Sequence, residues 1–594
     1  METSIALALI ILAATVATLV FEFVRIDVAA ILCMLALGWT GLLQPNEMLS
    51  GFSSNAVIAM IGVMILGRGI AKTGAMDGFA RALLKKAGNS RSRILALLSL
   101  AVGALSGFIQ NIGAVALFLP GILNLSRRGK IPASSLVMPI GFAAILGGTL
   151  SMVGSGPLIL TNDLLRSAGL APYGLFSVTP VGALLLAAGV GFLLLFGRSV
   201  LPRTDSSGEL SEQEKLIEAF HLPHNIWPYI IDPKSPLAHK TPEQLKPWDR
   251  YGINILAILQ GRDVVYAPWR GTGLEPGQEL ALLGEEKNVS RFAAEYGLTP
   301  AVRPDRLSRL LDPSNAGFAE VIIPSRSEMA GSTIRRYSLR KRYAVEPVML
   351  FSGGEEFHGD FSDREIASGD MILVHGSWEN IRGLKSSLDF VVATQFQADP
   401  KDGSKTPVAL ICFASAILLA LTGYPISMAF LTGAAAMIVT RVLSIQEAYH
   451  AIEWKVVFLL AGLIPLGIAM QQSGAAQFLA EKIMAVVLGR HPVLPVLSIG
   501  VLSTLFSLFM SNVGSIVVLA PLVIAMAGIG GLDARPLVLM AAVCTANSFI
   551  LPTHQVNALL MSYGGYRNAD YLRAGGGLTL LFLAIAVSFF YFLM

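Results

Sequence analysis

Charge is spread along this chain in a way that no single water-soluble fold could carry. Of its 84 Asp, Glu, Lys and Arg residues, 53 fall within residues 201–406. The 388 residues on either side share the other 31, about 8%, against roughly 25% in an ordinary soluble domain. The flanks are therefore expected to face lipid, and the middle to face water. A hydrophobic share of 54% fits this and excludes disorder, collagen-like repeats and a disulfide scaffold. The formal net charge of +4 is too small in 594 residues to imply a nucleic-acid partner. Cys33, Cys412 and Cys544 lie in apolar runs without metal-ligand spacing and read as small core residues.

A membrane span needs about 20 mainly apolar residues. Six such runs precede the charged middle, at about 4–22, 26–43, 54–72, 94–122, 134–160 and 173–200. Six follow it, at about 407–423, 425–442, 454–472, 493–526, 536–560 and 571–594. The first run lacks a basic leader and reads as a retained span rather than a signal peptide. Arg68, Lys72 and Lys455 sit near segment ends as snorkelling anchors.

Basic loops face the cytoplasm. Residues 73–93 carry Arg81, Lys85, Lys86, Arg91 and Arg93, and residues 123–133 carry Arg127, Arg128 and Lys130. The run between them therefore enters and leaves on one side, as a re-entrant hairpin with its tip at Gly107–Gly113. The second half repeats this order at an offset near 400. Gly69-Ile70-Ala71 and Thr73-Gly74 match Gly467-Ile468-Ala469 and Ser473-Gly474, and Asn111 with Pro120 matches Asn512 with Pro521. Its loops around 493–526 are poor in Lys and Arg, so the second hairpin is expected to enter from outside. Five crossings per half make the halves inverted, an arrangement typical of secondary transporters.

Polar residues interrupt the apolar runs at four places. Two are the hairpin tips, Gln110-Asn111-Ile112-Gly113 and Ser511-Asn512-Val513-Gly514-Ser515. The others are Gly147-Gly148-Thr149-Leu150-Ser151 with Gly154-Ser155-Gly156-Pro157, and Thr545-Ala546-Asn547-Ser548 with Pro552 to Asn557. Irregular backbone at membrane depth is tolerated only inside protein or along a cavity. Half-helix N-termini offer N–H groups to an anion, and unwound carbonyls can hold Na⁺. None of 94–122, 134–160, 493–526 or 536–560 contains Asp, Glu, Lys or Arg, which favours an anion held by dipoles over a proton relay. His554 leaves proton coupling open. Small residues also serve close helix packing, but packing alone does not account for the matched Asn111 and Asn512.

With these features the chain resembles the divalent-anion:sodium symporter family, solute carrier family thirteen within the ion transporter superfamily. That family has two hairpins with Ser-Asn-Thr motifs and two helices broken near Gly-Thr-Pro-Pro-Asn segments. Here Ile112 and Val513 replace the threonines, Gln110 the first serine, and Leu158 the first-break asparagine, whereas Asn557 is retained. The resemblance, with the breaks, implies substrate contacts at Asn111, Gly113, Ser155, Gly156, Ser511, Asn512, Gly514, Thr553 and Asn557. It implies Na⁺ contacts at Gln110, Asn111, Gly148, Thr149, Asn512, Thr545, Asn547 and Ser548. Na⁺ is the expected coupling ion and no cofactor is expected to be tightly bound.

Within the charged middle, six identities recur at an offset of 92: Ser235 with Ser327, Thr241 with Thr333, Tyr251 with Tyr343, Gly261 with Gly353, Gly277 with Gly369, and Gly284 with Gly376. Each copy reads as a small α+β domain, with β-rich runs at Ile253–Leu259 and Val345–Leu350, a later strand and then a polar helix. The pair resembles TrkA-C domains, the C-terminal parts of regulators of potassium conductance, which implies dimerisation and, more sharply, a small cytosolic ligand. No Gly-x-Gly-x-x-Gly fingerprint supports a dinucleotide site.

The expectation is thus a polytopic α-helical membrane protein of two inverted repeats, 1–203 and 401–594, around TrkA-C-like domains at 204–300 and 301–400. It would lie in the cell's inner membrane with the insert cytoplasmic, as a homodimer. Its expected work is secondary active transport of a divalent anion, sulfate or a dicarboxylate. The alternative is a TrkA-C-gated ion channel or cation carrier. A channel calls for a Thr-Val-Gly loop or buried carboxylates, and neither is found; nor does any pairing of nucleophile and base suggest an enzyme.

Overall fold

The computed structural model describes residues 2–21, 23–75, 90–129, 132–202, 212–220, 222–223, 225–260, 263–301, 315–385, 387–394, 403–489 and 491–593. Arg81, Lys85, Lys86 and Lys130 of the basic loops, Gly261, and the expected boundaries at 203–204 and 400–401 lie outside them. The chain divides into two compact units, Met1–Glu209 with Lys401–Met594, and Leu210–Pro400.

The first unit is helical. Lipid offers no partner for backbone N–H and C=O groups, so an apolar chain satisfies them within helices. The first series is α1 (Glu2–Phe21), α2 (Ile26–Trp39), α3 (Asn55–Lys72), α4 (Arg91–Ser106), α5 (Asn111–Gly129), α6 (Ser134–Gly147), α7 (Gly156–Ser167) and α8 (Thr179–Val200). The second is α9 (Thr406–Leu421), α10 (Ile426–Val439), α11 (Trp454–Ser473), α12 (Ala475–Val487), α13 (Val493–Phe509), α14 (Asn512–Gly530), α15 (Ala534–Cys544), α16 (Gln555–Gly564) and α17 (Asn568–Leu593). Among the described residues, seven helices are long and apolar enough to cross a membrane. All three cysteines are buried.

Packing between the series is reciprocal. A Cβ on Gly62 of α3 would lie 2.8 Å from the Phe430 backbone of α10, and one on Gly462 of α11 would lie 2.7 Å from the Ala30 backbone of α2. Glycine at these crossings lets backbones approach where lipid gives no hydrophobic drive to associate. Likewise α7 packs on α14 while α16 packs on α5, and α8 packs on α17. Two polar ties complete the frame. Tyr566 hydroxyl accepts from Met138 N–H at 2.8 Å and donates to Ser134 carbonyl at 2.6 Å, inserting into the α6 ladder just before Pro139. Lys72 Nζ, expected as a snorkelling anchor, meets Glu447 at 2.7 Å, where the short helix Ile445–Ala451 packs against α3.

The second unit holds two five-stranded sheets. The first runs β3 (Asp263–Tyr266), β2 (Asn254–Gln260), β4 (Glu279–Leu283), β1 (Ile226–Ile231), β5 (Leu298–Pro300). The second runs β8 (Glu355–His358), β7 (Glu346–Ser352), β9 (Met371–Ser377), β6 (Ala316–Ile322), β10 (Val391–Val392), the same order. One face of each sheet lies under its own helix, Glu286–Tyr296 or Trp378–Lys385. The other faces meet through Leu256, Ala281 and Leu283 against Phe318, Val348 and Leu373. Central strands covered on both faces need continuous apolar runs, which is why Ala281-Leu282-Leu283 and Ile372-Leu373-Val374 do not alternate with polar residues.

His375 breaks that run. Its ring lies 5.0 Å from Phe318, and burial pushes its pKa down to about 4. An unfolded histidine titrates near 6.5, so folding is unaffected above that pH. As pH falls from 6.5 towards 4, protonation favours the unfolded chain. Unfolding of the insert in the full-length protein should therefore lose roughly 3 kcal/mol over this window. Differential scanning at stepped pH should show a flatter profile for His375→Leu; an equally steep one would refute the assignment.

Candidate substrate and ion site

The helices stop where the polar residues interrupt the apolar runs. Residues 107–110 join α4 to α5, residues 510–511 join α13 to α14, and 148–155 and 545–554 separate α6 from α7 and α15 from α16. The first break is tied down by side chains. Thr149 hydroxyl donates to Leu146 carbonyl at 2.6 Å, closing the end of α6. Ser151 hydroxyl donates to Gly107 carbonyl, fastening the break to the first tip. Thr179 of α8 donates to Leu150 carbonyl at 2.6 Å.

At the first tip, Ser106 hydroxyl donates to Asn111 Oδ1 at 2.7 Å. A Cβ on Gly148 would sit 2.7 Å from the same oxygen, so glycine there gives Asn111 its place. Gln110 Nε2 reaches Met60 Sδ of α3 at 3.9 Å. Where α7 begins, a Cβ on Gly156 would lie 3.4 Å from Met60 Cε and 2.8 Å from Val513 Cγ2. Met60 thus touches the first tip and the start of α7, and the start of α7 touches the second tip. Asp163 of α7 accepts Ala56 N–H at 2.7 Å, holding α7 against the N-terminus of α3, where a carboxylate is favoured.

At the second tip Ser511 caps α14, its hydroxyl accepting Gly514 N–H at 3.1 Å. Ser507, five residues before Asn512 as Ser106 is before Asn111, donates instead to Thr504 carbonyl at 2.9 Å. In the second break, Asn557 Nδ2 donates to Ser548 carbonyl at 2.9 Å, and Tyr571 hydroxyl donates to Asn557 carbonyl at 2.8 Å. Asn547 Nδ2 donates to Thr504 hydroxyl at 3.2 Å and Thr579 carbonyl at 3.4 Å.

Exposure sorts the expected residues into two groups. Gln110, Asn111, Gly113, Ser155, Gly156, Ser511 and Asn512 are half-buried, and Thr553 is exposed. Gly148, Thr149, Gly514, Thr545, Asn547, Ser548 and Asn557 are buried. The accessible set offers amides, hydroxyls and the start of α7, which suit an anion. The buried set is neutral oxygen and backbone. Asn557, expected to touch substrate, is buried with its Nδ2 bonded to Ser548 carbonyl across the break. Among the described residues no three His, Cys, Asp or Glu side chains gather as a metal site. Met60, Thr504, Tyr571 and Thr579 were not expected; no motif or spacing in the sequence marks them. A separate depression of about 520 Å³, lined by Glu47, Ser167, Gln471 and Gln472 among others, is bordered by none of the tip residues.

The long apolar helices and their polar breaks fit a polytopic membrane protein. A model of the citrate transporter family, CitMHS, matches residues 8–546, and the chain belongs to that family. It is 29% identical over 583 residues to the uncharacterized transporter YfbS of Escherichia coli K12, covering 95% of each chain. It is also 29% identical over 594 residues to the uncharacterized transporter sll0640 of Synechocystis, covering 98% of this chain and 95% of that one. Sodium/sulfate cotransporter 2 of Chlamydomonas reinhardtii is 24% identical over 348 residues, 55% of this chain and 38% of that protein.

Because the Asn557 side chain is buried and its Nδ2 is bonded to Ser548 carbonyl, Asn557→Ala should lower the melting temperature in detergent by the equivalent of about 1–3 kcal/mol. Gly148→Ala should displace Asn111 and cut uptake at least tenfold with little change in melting. A Gly148→Ala protein with full uptake would show that Asn111 has room to spare.

Proposed function

We propose that the protein is a Na⁺-coupled symporter of a small divalent anion, sulfate or a dicarboxylate, working by alternating access. The observation that carries this reading is the approach of both hairpin tips to the start of α7, the second directly through Val513 and the first through Met60. Half-buried amides and hydroxyls of both halves and a half-helix N-terminus lie around this place. The matching helix order, the reciprocal glycine crossings and the basic loops support inverted repeats. In that arrangement the hairpins with α6–α7 and α15–α16 move against a scaffold of the remaining helices.

Substrate contacts fall to Asn111, Gly113, Ser155, Gly156, Ser511, Asn512 and Thr553, and Na⁺ to the buried oxygens behind them together with Gln110 and the tip asparagines. Sulfate leads because relatives are named sodium/sulfate cotransporters; a dicarboxylate follows from a relative named sodium-dependent dicarboxylate transporter, 26% identical over 160 residues. Citrate, from the family's description, is the natural competitor to test. The insert, with α8 ending on the basic-loop side, lies in the cytoplasm of an inner-membrane homodimer. Its two lobes of equal strand order suit a TrkA-C pair that dimerises the carrier or responds to a small cytosolic ligand. Family membership favours a carrier over a gated channel.

The deciding measurement is uptake of radiolabelled sulfate, succinate and citrate into proteoliposomes, with Na⁺ or choline outside. One of them should accumulate saturably along the sodium gradient, and Asn111→Ala and Asn512→Ala should each reduce that uptake at least tenfold without loss of folded protein. Full uptake by both variants would remove the tips from the site, and sodium-independent accumulation would remove the coupling.

A further inference from the structure

Two adjacent residues in the second half of α7 reach opposite partners. Asn162, 5% exposed, clamps the segment that follows the helix: its Nδ2 donates to Tyr173 carbonyl at 2.8 Å and its Oδ1 accepts Tyr173 N–H at 2.7 Å. The same segment is stapled to the start of α15. Arg535 there donates to the Ala171 and Pro172 carbonyls at 2.9 and 3.0 Å and lies 4.1 Å from the Tyr173 ring. Asp163 turns the other way, to α3. Its Oδ2 accepts Ala56 N–H at 2.7 Å, and its Oδ1 meets Arg166 at 3.0 Å. The end of α3 that it meets is itself held to α10, because Ser427 hydroxyl donates to Asn55 Oδ1 at 2.6 Å.

Asp163 therefore bonds two sets of helices that have to part in each cycle. In alternating access as proposed above, α7 and α15 move while α3 and α10 stay. The sequence does not repeat this carboxylate in the other half. The eighth residue of α7 is Asp163, and the eighth of α16 is Ser562. Where α3 opens on Ser54, α11 opens on Glu453, which would repel a second carboxylate. Helix α7 packs on α3, and among the described residues α16 makes no comparable packing with α11. The flanks of an inverted repeat exchange their packing as the carrier turns over, so one tight flank and one loose flank define a state.

We infer that Asp163 is the lock of an external gate, and that the carrier stands with that gate shut and its cytoplasmic side open. This rests on the orientation and the alternating access proposed above. The basic loops put the start of α3 outside and the start of α11 inside. The α3–α7 flank then closes the way out, and the loose α11–α16 flank leaves the site facing the cytoplasm. A carboxylate suits a lock that must open again. It gains from the dipole of α3 and from a charge-assisted hydrogen bond. When α7 moves off, the freed groups lie near the outer ends of both helices, where water can replace those bonds. With the lock on one side only, the empty carrier rests facing inward.

The test uses Thr553→Cys in the full-length protein, whose own cysteines are buried while Thr553 is exposed at the second break. Its labelling by a membrane-impermeant maleimide is timed in right-side-out and inside-out vesicles, without substrate. Labelling should be at least fivefold faster from the cytoplasmic face. Adding Asp163→Ala should lower that ratio by about fivefold or more. Asp163→Asn, which keeps an acceptor for Ala56 N–H and loses the charge, should lower it by about twofold, and it carries the test if the alanine variant does not fold. If neither variant moves the ratio, Asp163 only braces the fold: the lock is overturned and the carrier reading stands. A parent labelled faster from outside overturns the assigned state. A parent labelled equally from both faces is an open pore, which overturns the lock and the carrier reading together.

Discussion

The helical unit is governed by one condition: in hydrocarbon, a backbone group that leaves the helix must find its partner inside the protein. Each break meets it with side chains close in sequence or just across a helix contact. Thr149 closes α6, Ser151 binds the first tip, Thr179 reaches across from α8, and Asn557 with Tyr571 ties the second break to α17. These bonds hold the irregular segments in one conformation without any charged residue. The accessible tip residues are positioned by them, so the site's geometry is a by-product of satisfying the backbone around it.

The same condition explains the glycines. With lipid as apolar as the helices, association depends on close van der Waals contact, and Gly62 and Gly462 supply it at reciprocal crossings between the series. Gly148 has a different task. It makes room for the Asn111 amide rather than for a helix, so a residue that looks like packing in the sequence positions a residue of the proposed site.

Sequence was most informative where chemistry was local. Long apolar runs interrupted by Gly, Pro, Asn and Ser located the helices and their breaks to within a few residues, because a polar interruption is rare and costly in such a run. The strands of the insert were legible for the same reason, from short β-rich runs ending at glycine. What escaped were pairings across distance. Nothing local marks Lys72 as the partner of Glu447, Tyr566 as an insertion into α6, or Thr504 and Thr579 as neighbours of Asn547. An asparagine at a break can serve either ligand or backbone, and the sequence carries no mark of the bond from Asn557 Nδ2 to Ser548 carbonyl.

The lack of fixed charge also bears on why a carrier of this kind would need a coupling ion. A helix N-terminus contributes about 0.3–1 kcal/mol to a nearby anion, and up to about 2 kcal/mol when partly buried. Removing an ion from water costs several kcal/mol even after the protein relaxes. The four interrupted segments contain no Lys or Arg to make up the difference. For the divalent anion proposed above, two half-helix ends and a few amides fall short, and the proposed Na⁺ would supply the missing positive charge. A fixed lysine would hold the anion whether or not sodium was present and would weaken the link between them. Neutral oxygens leave the site dependent on the cation, and that dependence is what coupling requires.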